Sequence, residues 1–229
     1  TYGQLGDGGP AWSSSNPDAN DLNAPSSTPI NLGSGRTAVA ASAGNYHTCA
    51  ILDNGDLKCW GIDSAHGYGA TNTDLLAPSS TPIDLGMGRT AIAVSAGSSH
   101  TCAILDNGEL KCWGADNYGQ LGNGGSNIAN NAPSSIPIDL GLGRTAIAVS
   151  AGSSHTCAIL DNGDLKCWGW DHKGQLGDGG TQHTTSTYTT APSSTAIDLG
   201  TGRTAVAVSA GTYHTCAILD NGDAKCWGR

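Results

Sequence analysis

Cysteine is the residue type best placed to do chemistry in this chain. Eight occur, always as C-x9-C: Cys49/Cys59, Cys102/Cys112, Cys157/Cys167 and Cys216/Cys226. Paired cysteines can ligate a metal, react as thiolates or form disulfides. Zinc ligation calls for CxxC or CxxH clusters, which are absent. Each pair instead flanks an LDNG core. There a type I turn over Asp–Asn, followed by glycine in the left-handed region, makes a three-residue hairpin loop. Facing residue numbers in the first copy then sum to 108, so 52 faces 56 and 49 faces 59. Cross-strand neighbours have Cβ atoms about 4.5–5.5 Å apart, within reach of a disulfide. Each bridge is expected to stabilise its hairpin by roughly 2–3 kcal/mol. Four of them imply an oxidising compartment, hence an extracellular or cell-surface protein.

Histidines come next. His47, His100, His155 and His214 recur in GxxHT, just before a strand. A general base needs a nucleophile or a paired carboxylate beside it, and none recurs with them. They read as structural corners that hydrogen-bond backbone. Trp60, Trp113, Trp168 and Trp227 also occupy one repeat position and read as inter-blade filling. The aspartates of DNGD (Asp53, Asp56 and equivalents) lack the ligand spacing of a calcium loop, so turn chemistry accounts for them. The GDGG that follows GQLG has no GxxxxGK[ST] and no helix to serve a phosphate. No catalytic residue, metal ligand or cofactor is assigned. Outside the repeated core, Trp12, Tyr68, Trp170 and Tyr188 are candidate ligand contacts, as amphipathic aromatics in loops. His66, His172 and His183 are loop residues with no partner pattern.

These residues must be positioned by strands. With 34 glycines, no phenylalanine and one methionine, the interior has to be small residues, valine and isoleucine on pleated strands. No window keeps an apolar i, i+3, i+4, i+7 pattern over three turns, so helices are not expected. No run of 18 apolar residues exists, which excludes a membrane-spanning helix. Net charge is −9, and eight of the ten basic residues sit evenly at two repeat positions, Arg36, Arg89, Arg144, Arg203 and Lys58, Lys111, Lys166, Lys225. No basic face is left for nucleic acid.

First cysteines are spaced by 53, 55 and 59 residues, periods that mean propellers or other repeat arrays. Each unit reads as four strands, in the second Thr81–Gly86, Thr90–Gly97, His100–Leu105 and Glu109–Gly114. The expected organisation is a connector at 1–27, a blade at 28–61, then connector 62–80, blade 81–114, connector 115–135, blade 136–169, connector 170–194 and blade 195–229. Connectors open with GQLG at Gly3, Gly119 and Gly174, degraded to GYGA at Gly67, and diverge in their middles while the strands stay near-identical. Divergent loops are where specificity usually sits, with drift as the plain alternative. Ser/Thr/Pro-rich stretches offer room for O-linked sugars, whereas no N-x-[ST] acceptor is present.

The GQLG turn, the AVSAG strand, the GxxHT corner and the DNGxxxxWG hairpin together resemble the repeat of the regulator of chromosome condensation family, as a disulfide-bearing, bacterial-type variant. The resemblance covers all four units and implies propeller blades. Members of that family form seven-bladed rings; four blades here are either a closed ring or a segment of a longer array. Its ultraviolet-sensing members use clustered tryptophans, and its nucleotide-exchange members use loops not identifiable in this chain, so neither role is carried over.

The expected fold is therefore all-β, an array of four four-stranded antiparallel propeller-type blades. The chain opens at Thr1 without initiator methionine or leader, and joining Arg229 to Thr1 falls one residue short of the internal connector spacing. It is expected to be a window from a longer tandem array. The expected role is a non-enzymatic, secreted structural repeat protein, such as a filament or adhesin-stalk segment, associating with itself or with tandem copies. The alternative is a secreted binding module whose loops grip a protein or glycan.

Overall fold

The DNG loops close as the spacing requires. Leu52 N–H donates to Asp56 O and Gly55 takes φ +81°, which lets the chain reverse without a Cβ clash. In this computed structural model, which describes residues 3–8, 24, 26–69, 73–126, 129–180, 184 and 186–229, the register follows from those turns. The first sheet holds β1 (Ala38–Ala43), β2 (His47–Leu52) and β3 (Leu57–Gly61); the second β4 (Ala91–Ala96), β5 (His100–Leu105) and β6 (Leu110–Gly114). The third holds β7 (Ala146–Ala151), β8 (His155–Leu160) and β9 (Leu165–Trp170), with the two-residue β10 (Tyr188–Thr189) added along β9. The fourth holds β11 (Ala205–Ala210), β12 (His214–Leu219) and β13 (Ala224–Gly228). All pairings are antiparallel, and no helix occurs among the described residues.

Each cysteine stands directly opposite its partner, and all four bridges are formed, with Cα atoms 4.0–4.1 Å apart and no free thiol.

One expected strand per unit is missing. Thr81–Gly86 forms none, because Pro82 has no N–H for a ladder and Asp84 Oδ1 accepts from Gly86 N–H, turning the chain. What remains is a bridge between blades: Ile83 N–H donates to Leu57 O on the preceding sheet, and Leu85 O accepts from the buried Lys111 Nζ of its own. Ile138 and Ile197 repeat the first bond on Leu110 and Leu165, and Lys166 and Lys225 the second on Leu140 and Leu199. Three of the four sheets are thus three-stranded among the described residues, and the third reaches four through β10.

The sheets stack face to face in chain order, with a core cluster in each of the three junctions. In the second junction Cys102, Ile104 and Leu110 of one blade meet Leu140, Ala146, Leu160 and Trp168 of the next. The four corners at Gly44, Gly97, Gly152 and Gly211 converge on a cavity of about 240 Å³. The row does not close into a ring. Every first strand also carries a bulge that extrudes one β-branched residue, Val39, Ile92, Ile147 and Val206, into solvent.

Candidate functional site

The repeated histidines and tryptophans meet across the junctions in one relay. His47 Nε2 lies 2.7 Å from Thr101 Oγ1 of the next blade, and His100–Thr156 and His155–Thr215 repeat it at 2.9 Å. Each threonine hydroxyl donates in turn to a connector carbonyl, Ala65, Gln120 or Gln175, and the same carbonyl accepts Nε1–H of Trp113, Trp168 or Trp227. Because the hydroxyl proton is committed to the carbonyl, the histidine must donate from Nε2. Its Nδ1 is then buried without a partner. Burial, reinforced by neighbouring histidines, lowers the pKa to about 4 in His47, about 3 in His100 and about 4 in His155. The imidazoles are neutral and hold blades together by a side-chain bond to the next blade, where a bond to backbone was expected.

The connectors cap the tryptophans through their second glycine. A Cβ on Gly122 would stand 2.5 Å from Trp168 Nε1, and Gly6 and Gly177 meet Trp60 and Trp227 in the same way. Gly67 is in this position against Trp113. The degraded connector motif is therefore SAHG (Ser64–Gly67), reached two residues sooner after the blade tryptophan than in its relatives, and not GYGA; the buried His66 stands where the others have leucine. The once-per-unit arginines pair with the turn aspartates at 3.1–3.4 Å (Arg36–Asp53, Arg89–Asp106, Arg144–Asp161, Arg203–Asp220), exposed contacts of small energetic weight.

Of the candidate ligand contacts, Trp12 lies outside the described residues, as does His183. Tyr68 is half-buried against the first core cluster, where burial pushes its hydroxyl up to about 12. It is packing, and it does not join the others. Trp170 and Tyr188 are brought together: they face each other across β9 and β10. Around them sit residues that spacing did not single out as a group. Trp170 stacks on Tyr118 (centroids 4.6 Å) and on His172 (5.3 Å), Tyr213 meets its edge at 5.7 Å, and Tyr188 meets Tyr118 at 6.4 Å. Tyr188 and Tyr213 are exposed. The cluster occurs at one junction. Gly169, before Trp170, pairs with Thr189 just as Gly61 and Gly114 pair with Leu75 and Asn130, so Ile62 and Ala115 hold the place of Trp170, and Asp74 and Ala129 that of Tyr188. The WGW of the third unit was the one visible signal.

In the connector that carries Tyr118, Asp116 is buried with Oδ1 accepting from Leu121 N–H, and burial raises its pKa to about 6. Among the described residues no group of three or more His, Cys, Asp or Glu side chains could hold a metal ion.

A family model described as the regulator of chromosome condensation (RCC1) repeat matches residues 38–67, 91–120, 146–175 and 205–229, and a second of the same description matches 107–159. The chain belongs to the RCC1-repeat family. Among its RCC1-repeat relatives, the ultraviolet-B receptor UVR8 of Arabidopsis thaliana is 31% identical over 191 residues, covering 82% of this chain and 40% of the receptor. The regulator of chromosome condensation of Mus musculus is 28% identical over 141 residues, covering 61% and 32%. The chain thus spans about two fifths or less of these relatives. Among solved structures, Prp20p from Saccharomyces cerevisiae superposes with a TM-score of 0.70 at 19% identity, over 85% of this chain and 44% of that one. Human WBSCR16 gives 0.71 at 19%, over 88% and 50%. The shared fold is the RCC1 β-propeller.

Proposed function

We propose that this chain is a non-catalytic, extracellular scaffold of RCC1 blades that binds protein partners, with the Trp170 cluster as its principal contact. The observation that carries the reading is asymmetry: three junctions share one architecture, and one of them bears five aromatic rings at its rim. Exposed tyrosines around a partly covered tryptophan are the composition of a protein-binding hot spot. A glycan platform needs a free ring face, and Trp170 has already given ring area to Tyr118 and His172. Prp20p binds Gsp1p and histones, and yeast RCC1 forms a complex with Kap60, so protein ligands have precedent on this fold. Four disulfides without a free cysteine support an oxidising location.

A photo-crosslinker placed at Tyr213 in cells producing the protein tests this reading. Discrete protein adducts are expected from Tyr213, absent when the probe is moved to Val206, and lost on Tyr118→Ala with Tyr188→Ala. Equal adducts from both positions, or none from Tyr213, would remove the cluster as the contact.

A second reading adds a structural role, in which such blades stack in tandem or between copies into an extracellular array, a filament or an adhesin stalk. It is favoured by the near-identity of the four units, whose three internal junctions repeat the same bonds.

A further inference from the structure

Tyr68 fills a place in the first junction that the second junction leaves open. Its ring packs on the first core cluster. Its buried hydroxyl faces the Cys59 backbone amide and the Ser79 side chain, without a short bond to either. Gly67 and Gly122 stand against equivalent tryptophans, so Asn123 holds the place of Tyr68 one junction later. The CWG and APSS motifs likewise set Cys112 against Cys59 and Ser134 against Ser79. Asn123 does not enter its junction. It is exposed, and its Oδ1 accepts from Gly125 N–H at 2.9 Å in its own loop.

What remains is a cavity of about 350 Å³, lined by Cys112, Asn123 and Ser134 and walled by Leu121, Gly124 and Ile138. That is the small end of the ~300–1,000 Å³ typical of ligand sites. Its polar groups are uncommitted. Gly114 turns its N–H and C=O outward to Asn130, and Leu110 O accepts from Ile138 N–H. Strand alternation points the backbone of Cys112 the same way, where no backbone group meets it among the described residues. Ser134 Oγ accepts from Ile136 N–H at 3.1 Å. Its own proton lacks the threonine hydroxyl that meets Ser79, because Ile136 replaces Thr81. Asn130 and Ile138 hold the edge on both sides of Cys112, so the slot admits a ring and excludes an extended peptide backbone.

We infer that this cavity between the second and third blades is a binding site for a neutral phenolic ring. The ring lies against Leu121 and Ile138, and its oxygen accepts from Cys112 N–H and bonds Ser134 Oγ. The occupant is named by the molecule itself, since Tyr68 is such a ring facing the equivalent groups. A free ring carries no tether to a connector, so it can close the short bonds that Tyr68 leaves open. Gly124 has open space where a Cβ would stand, which leaves room for a substituent on the ring. Asp139 also lines the cavity, and its carboxylate disfavours an anionic ligand. The ring can belong to a small para-substituted phenol or to a tyrosine of a partner polypeptide. The site shares no residue with the Trp170 cluster, and the inference is independent of that reading.

Titration of the 229-residue chain with p-cresol, followed by amide NMR, tests the inference. Shifts are expected at Cys112, Gly124 and Ser134, saturating with a Kd of about 1 mM, the scale for a single small ring. Toluene has no hydroxyl to meet Cys112 and Ser134, so it should bind about fivefold more weakly. Asn123→Tyr brings a ring into the cavity as Tyr68 does, and should abolish the p-cresol shifts while circular dichroism stays unchanged. Tyr68→Asn should open the same cavity one junction earlier and add a second set of shifts at Cys59 and Ser79. N-acetyltyrosinamide separates the two sources. Shifts at the same amides with a comparable Kd mark a tyrosine carried by a polypeptide, and p-cresol shifts alone mark a free phenol. No shift at Cys112 and Ser134 up to the solubility limit of p-cresol would overturn the inference. So would toluene binding as tightly as p-cresol, p-cresol shifts that persist in Asn123→Tyr, or a folded Tyr68→Asn chain without new shifts at Cys59.

Discussion

His100 Nε2 in the second blade donates to Thr156 Oγ1 in the third at 2.9 Å, and Thr156 passes its own proton to Gln120 O, which also holds Trp168 Nε1–H. One connector carbonyl therefore ties together three segments that are distant in sequence. His214, the fourth member of the series, is exposed, and no later blade stands against it among the described residues.

Truncation should separate these two histidines. His100→Ala leaves a cavity and an unfilled acceptor on Thr156 in a buried junction, a cost of about 2–4 kcal/mol. His214→Ala should stay within about 0.5 kcal/mol, as exposed substitutions do. Urea unfolding midpoints of the two variants, compared with wild type, check the contrast.

Acid should loosen the row. His47, His100 and His155 have folded pKa values of about 4, 3 and 4 against 6.5 for the free side chain. Between those limits the unfolded chain binds more protons than the folded one. Their contribution is thus complete above pH 6.5 and declines as pH falls towards 4, by about 1.4 kcal/mol per pH unit for each histidine. Asp116 works in the opposite sense: its pKa is raised to about 6, so the stability it contributes by holding a proton is lost as pH rises through 6. Three groups outweigh one. Melting temperature should fall from pH 6.5 to pH 4, and more shallowly in a His100→Gln background.

Reduction should proceed from the end of the row. Cys226 is exposed, whereas Cys102, Cys112, Cys157 and Cys167 are buried, and thiol–disulfide exchange needs access to sulfur. A mild reductant under native conditions, followed by alkylation and peptide mass spectrometry, should label Cys216 and Cys226 first. Removing an internal bridge by Cys102→Ala with Cys112→Ala should cost about 2–3 kcal/mol.

Two glycines with nearly the same backbone should respond differently to alanine. Gly143 has φ +69° and open space where a Cβ would go, so Gly143→Ala carries only the left-handed penalty of about 1–2 kcal/mol. Gly122 has φ +72°, and its Cβ would meet the buried Trp168 indole. Gly122→Ala should cost a further 1–3 kcal/mol or so, read as a lower thermal midpoint together with altered Trp fluorescence.

Much of this was legible in the residues. The LDNG turn dictates its own register, so Cys49 had to face Cys59, and the period of the hairpin implied stacked blades. The residue types of the histidine series were legible as corners too, although their partner was not: a bond to Thr101, 54 positions away, leaves no local trace. Thr81–Gly86 looked like a strand by composition, yet Pro82 and Asp84 broke its ladder and left it as a strap between sheets. In the degraded connector, only the contact of Gly67 with Trp113 shows which glycine is which.

By itself the sequence determined whatever depends on neighbours a few positions apart: hairpin closure, disulfide pairing, the all-β class and the number of blades, since turn geometry and side-chain period are local. The tertiary structure alone decided what depends on distance in space. Stacking of blades made the histidines neutral, extruded Val39, Ile92, Ile147 and Val206 at bulges, and gathered Tyr118, Trp170, His172, Tyr188 and Tyr213 from two connectors, a strand and a corner into one cluster. Burial and proximity are properties of the packed row, and no spacing along the chain encodes them.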